Sequence, residues 1–188
     1  MIRVLSLLIF LMLSIPSLKA NTFILNKDFI VAEGTDNIEY YLSTDTEISP
    51  QERYFQMKNS KVEAVKRYLF FTTRSQKWLF FKVYNPQEVP FDFLLEMGNF
   101  GLNQADYYIF YNDSILESGT VATRSGLKTS EYYDRNIVIP YTAQAQREYT
   151  FLIRIQTNAP IFDMPLVIWN KHNKFLISQG IEFGRGMF

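Results

Sequence analysis

Apolar and polar residues alternate along much of the chain, which is the pattern of half-buried β-strands. From Phe91 to Met97 the odd-numbered residues are all apolar, whereas Asp92 and Glu96 fall on the opposite face. The stretch from Tyr149 to Gln156 repeats this alternation. The positions that these patterns place in the core are Phe93, Leu95, Phe151 and Ile153. Aromatic and β-branched runs predict further strands at 29–31, 38–42, 68–73, 78–84, 105–111, 135–141 and 164–169.

About eight or nine such strands, separated by turn signals, predict an all-β, antiparallel sandwich or barrel. No long amphipathic helix alternates with them, so a parallel α/β sheet is not expected and little helix should precede residue 170. Asn112-Asp113 predicts a turn, and Pro140 indicates either a sheet edge or the end of the strand at 135–141. The polar stretches 43–50 and 119–131 are expected to be loops, the second with at most one short strand.

The N-terminus has the layout of a secretory signal peptide. Arg3 precedes an apolar run of about twelve residues, which is too short to span a bilayer as a helix. The small residue Ala20 predicts cleavage before Asn21, and an uncleaved anchor is the alternative. The expected organisation is a signal peptide at 1–20, one β-sandwich domain at 21–169 and a tail at 170–188. The exported domain is expected in the periplasm, at the outer face of the inner membrane.

Charge and motifs exclude several function classes. The chain carries 19 Lys and Arg against 19 Asp and Glu, without a basic block, so nucleic-acid binding is not expected. It has no Cys and a single histidine, His172, so neither a metal site nor a cofactor is predicted. No nucleophile or nucleotide motif is present. The carboxylates that a glycosidase mechanism could use are predicted to face solvent, and they are Asp92, Glu96, Asp106 and Asp134. The chain is therefore not predicted to be an enzyme.

Four segments occur in a recognisable order. The first is a strand that begins with Trp, and the second is a Leu-Glu stretch that leads to a strand near an Asp. The third is an Arg before an apolar strand, and the fourth is a Leu-x-Arg-x-Gln strand followed by Pro-Leu-x-x-Trp. They lie at 78–86, 94–110, 135–140 and 151–169. Together they resemble the second type of extracellular domain of bacterial seven-transmembrane receptors with diverse intracellular signalling modules. The resemblance spans 29–169, and it departs from the family pattern at Phe80 and Asn103.

The resemblance implies a jelly-roll-like β-sandwich, similar to carbohydrate-binding modules, with a sensory role. In family members a segment like 179–184 leads into the first transmembrane helix. This chain stops at Phe188 without an apolar span, so it is expected to be either the ectodomain part of a larger receptor or a gene product that ends early. The transmembrane signalling segment is expected in cis or in a partner chain.

Two functions are open at this point. The first is a ligand-sensing ectodomain that binds a sugar or a small acid on a concave sheet face or among end loops. The second is a protein-interaction or homodimerisation module without a small ligand. The candidate ligand-binding residues are Arg135, Tyr132, Tyr133, Asn99 and Asp106. For Arg135 the alternative is a structural ion pair with Asp106 or Glu96.

Overall fold

The computed structural model describes residues 22–26, 31–33, 37–45, 48–66, 76–98, 102, 104–122, 136–156, 165–172 and 174. Within these ranges the chain forms ten strands and one helix. In chain order they are β1 (Thr22–Ile24), β2 (Val31–Glu33), β3 (Glu39–Ser43), α1 (Pro50–Lys58), β4 (Gln76–Asn85), β5 (Phe91–Met97), β6 (Gln104–Tyr111), β7 (Ser114–Ala122), β8 (Ile137–Ala143), β9 (Arg147–Gln156) and β10 (Leu166–Asn170).

The strands form two sheets. A six-stranded sheet has the order β1-β4-β9-β6-β7. Its sixth strand, β3, pairs with the same edge of β4 as β1 does, at a different part of that strand. A four-stranded sheet has the order β2-β10-β5-β8. All described pairings are antiparallel except β1 with β4. The chain crosses repeatedly between the sheets, as the predicted all-β sandwich requires.

The core lies between the two sheets. Phe151 of β9 stacks on Phe81 of β4, with ring centroids 5.3 Å apart. From the other sheet, Phe93 of β5 approaches the Phe151 ring at 6.0 Å and Tyr141 of β8 approaches it at 5.7 Å. The four residues that the alternation predicts as core positions are all fully buried: Phe93, Leu95, Phe151 and Ile153.

The predicted turn and sheet edge are confirmed, one predicted loop is wrong in part, and one helix was not predicted. Asn112 and Asp113 have positive φ angles of 48° and 65°, as a two-residue hairpin turn needs, and β8 with its Pro140 is an edge strand. The expected loop at 119–131 is wrong at its start, because β7 continues to Ala122 through pairing with β6. A helix was also missed, since α1 begins at Pro50. The predicted strand at 68–73, the signal peptide and the residues of the tail beyond 174 lie outside the described residues.

The start of α1 follows from its sequence. Ser49 is the N-cap residue, and its hydroxyl accepts a hydrogen bond from the Glu52 amide at 3.2 Å. Pro50 occupies the first helical position, where its missing amide hydrogen costs nothing. Glu52 in the first turn and Lys58 in the last turn complement the helix dipole. Ser49 and Glu52 have the spacing of a capping box, which is the sequence signal for this helix.

Candidate functional site

The outer face of the six-stranded sheet carries the side chains that the core does not use. The register aligns them in cross-strand rows. In one row Trp78 of β4 lies opposite Arg154 of β9, which lies opposite Asp106 of β6. The next row contains Phe80, Leu152 and Tyr108, and the one after it contains Lys82, Thr150 and Phe110. The face is therefore polar toward one end, apolar in the middle and mixed toward the other end.

Helix α1 covers the apolar middle of this face. Tyr54 stacks on Phe110 with ring centroids 3.9 Å apart and planes 7° apart. Met57 joins the same buried cluster, which includes Trp78 and Leu152 of the sheet. The outer positions of β4 and β9 are therefore buried as well as the inner ones. This second, smaller core fixes the helix on the sheet through apolar burial.

The β6–β7 turn holds α1 along its length. Asp113 accepts a hydrogen bond from the Tyr54 hydroxyl at 2.7 Å and forms an ion pair with Lys58. The side-chain amide of Gln51 donates to the Asp113 carbonyl at 2.7 Å. Hydrogen bonds from Lys58 and Tyr54 lower the pKa of the Asp113 carboxyl. Asp113 thus contacts three residues of the helix, from its first turn to its last, and we call this contact set the Asp113 clasp.

Beside the clasp, a cleft of about 790 Å3 opens between α1 and the outer face of the sheet. We call it the α1 cleft. Its charged residues are mostly paired: Lys58 with Asp113, and Lys82 with Glu148 at 2.7 Å. The cleft is lined by Thr22, Glu39, Tyr54, Met57, Lys58, Ser60, Phe80, Lys82, Phe110, Tyr111, Asn112, Asp113, Gln146, Arg147, Glu148 and Thr150. Its size lies within the range of small-molecule sites, about 300–1,000 Å3.

At the opposite end of the face, Asp106 is the centre of a polar network. Its Oδ2 accepts from Arg154 Nε at 2.9 Å and Nη2 at 2.7 Å, and from Gln156 Nε2 at 2.7 Å. Its Oδ1 accepts from Thr120 and Gln104. Burial acts to raise the pKa of Asp106, but the hydrogen bonds outweigh burial and lower it. The carboxylate is therefore held ionised, with its acceptor capacity taken up by protein donors.

A tryptophan lies under two guanidinium groups next to this network. The Arg154 guanidinium carbon is 5.7 Å from the Trp78 ring centroid, and that of Arg53 is 5.8 Å from it. Arg53 is buried, and its terminal nitrogens donate to Ser43 at 2.5 Å and to Gln56 at 3.1 Å. Burial lowers the pKa of Arg53. These contacts attach the N-terminal half of α1 to the polar end of the sheet.

A second concavity lies at the side of the sandwich, between the edge strands β7 and β8. We call it the edge groove, and its volume is about 470 Å3. It is lined by Asp92, Leu116, Glu117, Pro140, Tyr141, Thr142, Gln144, Arg147, Tyr149 and Lys171. Arg147 also lines the α1 cleft, so the two concavities are neighbours. Lys171 directly follows β10, so this groove contacts the segment by which the chain leaves the sandwich.

Of the five candidate residues from the sequence, the structure describes one, Asp106, in the network above. Arg135, Tyr132, Tyr133 and Asn99 lie outside the described residues, so their roles remain predictions.

The expectation that the carboxylates face solvent holds for Asp92 but is wrong for Asp106 and Glu96, which are 4% and 9% exposed. Their burial is possible because each has a cationic partner: Arg154 for Asp106, and Lys174 at 2.5 Å for Glu96. Asn136 also donates to Glu96 at 2.5 Å.

Sequence reasoning missed the α1 cleft altogether. The capping-box spacing of Ser49 and Glu52 was the signal that could have indicated it, because it locates the helix that forms one wall.

The described residues contain no group of three or more His, Asp or Glu side chains placed to hold a metal ion. Among the same residues, no helix has the length and apolar character needed to cross a membrane.

Residues 35–170 match a family model described as 7TMR-DISM extracellular 2. A search of curated proteins finds no match.

Proposed function

Because the chain belongs to the family of type 2 extracellular domains of seven-transmembrane receptors with diverse intracellular signalling modules, we propose that it is a periplasmic ligand-sensing ectodomain. Its ligand is a small polar molecule, a sugar or a small acid, and the α1 cleft is the binding site. Family membership supports an exported sensor domain that acts outside the membrane. The size and lining of the cleft support the ligand.

The two lysines of the α1 cleft suit a polyhydroxylated ligand better than an acid. Lys58 and Lys82 already have carboxylate partners, and a new carboxylate would compete with Asp113 and Glu148 for them. Sugar hydroxyls both donate and accept, so they can bind to such ion pairs without separating them. Thr150 in the floor and Asn112 at the turn add neutral polar groups. The paired lysines and the neutral polar groups therefore favour a carbohydrate, and Arg147 is a cation of the lining that has no carboxylate partner among the described residues.

Signalling requires a ligand that stabilises one arrangement of the domain over another. Helix α1 is the element that a ligand in the cleft would contact directly, through Tyr54, Met57 and Lys58. The Asp113 clasp joins this helix to the β6–β7 turn. Occupation of the cleft would therefore fix α1 and the turn together. A transmembrane segment, in cis or in a partner chain, would receive the change.

A thermal-shift screen of the purified chain against mono- and oligosaccharides and organic acids tests this proposal. A ligand at a hundredfold excess over its Kd adds about 2.7 kcal/mol of stability, which raises the Tm of a domain of this size by about 5–10 °C. Glu148→Gln and Lys82→Gln should reduce the shift, whereas Glu63→Gln, an exposed residue outside the cleft, should not. A shift unchanged in Glu148→Gln and Lys82→Gln, or no shift with any compound, contradicts the proposal.

One observation favours a second candidate function, homodimerisation through β7. This edge strand pairs only with β6 among the described residues, and it exposes Ile115 and Leu116 by 40% and 56%. Unprotected edge strands pair readily with another chain. Leu116→Lys should then abolish a concentration-dependent dimer in sedimentation measurements. Val89→Lys, which alters an equally exposed apolar residue elsewhere, should leave the dimer intact.

A further inference from the structure

The edge groove contains four charged residues, two of each sign, that do not pair with one another. Asp92 and Glu117 are the acids, and Arg147 and Lys171 are the bases. In the described part of the chain, no salt bridge joins any two of them. This differs from the α1 cleft, where both lysines have a carboxylate partner. The edge groove therefore offers charges of both signs to an occupant.

The two acids are oriented by neutral donors and keep free acceptor capacity. Thr142 donates to Oδ1 of Asp92 at 2.6 Å, and Tyr107 donates to Oε1 of Glu117 at 3.2 Å. In each carboxylate the second oxygen accepts no hydrogen bond from the described residues. An ionised carboxylate has about four lone-pair positions, so each acid can still bind a cationic donor.

The guanidinium of Arg147 is positioned without being neutralised. Its central carbon lies 4.9 Å from the centroid of the Tyr111 ring, which is a cation–π contact. It makes no hydrogen bond or ion pair with the described residues. All five N–H donors of the fork are therefore free for an anionic group, and a guanidinium can hold a carboxylate through two parallel hydrogen bonds.

An apolar wall completes the groove. The rings of Tyr141 and Tyr149 meet edge to face with centroids 5.3 Å apart, and Pro140 and Leu116 lie beside them. Burial, followed by the influence of Tyr149 and Glu117, raises the pKa of Tyr141 above that of an ordinary tyrosine.

We propose that the edge groove binds a zwitterionic molecule of the size of a free amino acid. Its carboxylate contacts Arg147 and Lys171, its ammonium group contacts Asp92 or Glu117, and its side chain lies against the tyrosine wall. A volume of about 470 Å3 accommodates such a molecule. Although Arg147 lines both concavities, this proposal does not rest on the carbohydrate proposed for the α1 cleft. Because Lys171 follows β10 directly, the occupant would contact the segment that leaves the domain.

Calorimetry and thermal shift with the purified chain and the common L-amino acids at millimolar concentration test the proposal. At least one amino acid should raise the Tm. Its N-acetyl derivative, which lacks the ammonium charge, and its amide, which lacks the carboxylate, should bind at least about tenfold more weakly, since each removes charge-assisted hydrogen bonds. Equal binding of either derivative, or no response to any amino acid, overturns the proposal.

Single variants locate the binding. Arg147→Gln and Glu117→Gln should each raise the Kd at least about tenfold, and both residues are exposed, so the unliganded Tm should change little. Lys61→Gln, an exposed lysine outside both concavities, is the matched control and should leave the Kd unchanged. A Kd that responds to Lys82→Gln but not to Glu117→Gln would assign the amino acid to the α1 cleft and overturn this inference. A carbohydrate response abolished by Lys82→Gln tests the α1 cleft separately.

Discussion

Replacement of Asp106 by asparagine separates a structural carboxylate from a ligand-binding one. The asparagine keeps the shape of the side chain but removes its charge. In the native domain this carboxylate is 4% exposed and accepts five hydrogen bonds from Gln104, Thr120, Arg154 and Gln156. The variant leaves Arg154 without its carboxylate partner and turns one acceptor oxygen into an amide donor.

The size of the expected loss of stability follows from the burial of the Asp106–Arg154 ion pair. Breaking a buried ion pair by removing one partner costs about 3–5 kcal/mol. The Arg154 side chain is 26% exposed, so water can partly replace the lost carboxylate, and a cost of about 2–4 kcal/mol is expected. For a domain of this size each kcal/mol lowers the Tm by about 2–4 °C, which gives a decrease of about 5–15 °C.

Urea unfolding of the wild type and Asp106→Asn at several pH values measures this difference. The control is Glu88→Gln, which neutralises an exposed loop carboxylate and should change stability by less than about 0.5 kcal/mol. Because the pKa of Asp106 is lower in the folded state, its contribution is complete above the unfolded pKa of about 4 and is lost as the pH falls through the folded pKa. The difference in unfolding free energy between the wild type and the variant should therefore decrease progressively as the pH falls below about 4. A variant as stable as the wild type at pH 7 would refute the structural role.

Three further predictions follow from other parts of the chain. Phe151→Ala should cost about 3–5 kcal/mol in urea unfolding, because the ring is fully buried against three other rings, and a cost below about 1 kcal/mol would contradict its core position. Asp113→Asn should weaken the hold on α1 and speed proteolysis within 50–58, whereas an unchanged cleavage rate would contradict the clasp. N-terminal sequencing of periplasmic protein should begin at Asn21, and an intact Met1 in a soluble cytoplasmic pool would contradict export.

The sandwich could be predicted from the sequence because alternation reports burial on one face. Phe151 and Ile153 on β9 follow that rule and lie in the core between the sheets. Leu152 lies between them on the opposite face and is equally buried, beneath α1. Alternation alone assigns such a residue to the outer face, and it does not indicate that a helix covers that face. The sequence predicted a loop at the end of β7 for a related reason. The positions of this edge strand are polar and exposed, as in a loop, and only pairing with β6 makes them a strand.

The polar sites could not be predicted because register assembles them. Asp106 is close in sequence to Gln104, but its strongest partner, Arg154, lies on a strand 48 residues away. Only the pairing of β6 with β9 brings the two side chains opposite each other. The sequence marked Asp106 as a candidate without identifying Arg154. The same holds for the edge groove, where Asp92 and Arg147 come from different sheets.

The central ladder of the six-stranded sheet has a consequence for folding kinetics. It joins β4 to β9, and their sequence-nearest paired residues, Asn85 and Arg147, are 62 positions apart. Contacts between such distant segments form slowly because the loop-closure entropy is lost before the contacts are gained. A nascent chain that ends before residue 147 cannot close this ladder. The domain therefore remains unfolded until most of it has been synthesised, which is the state in which a chain can be threaded through a translocation pore.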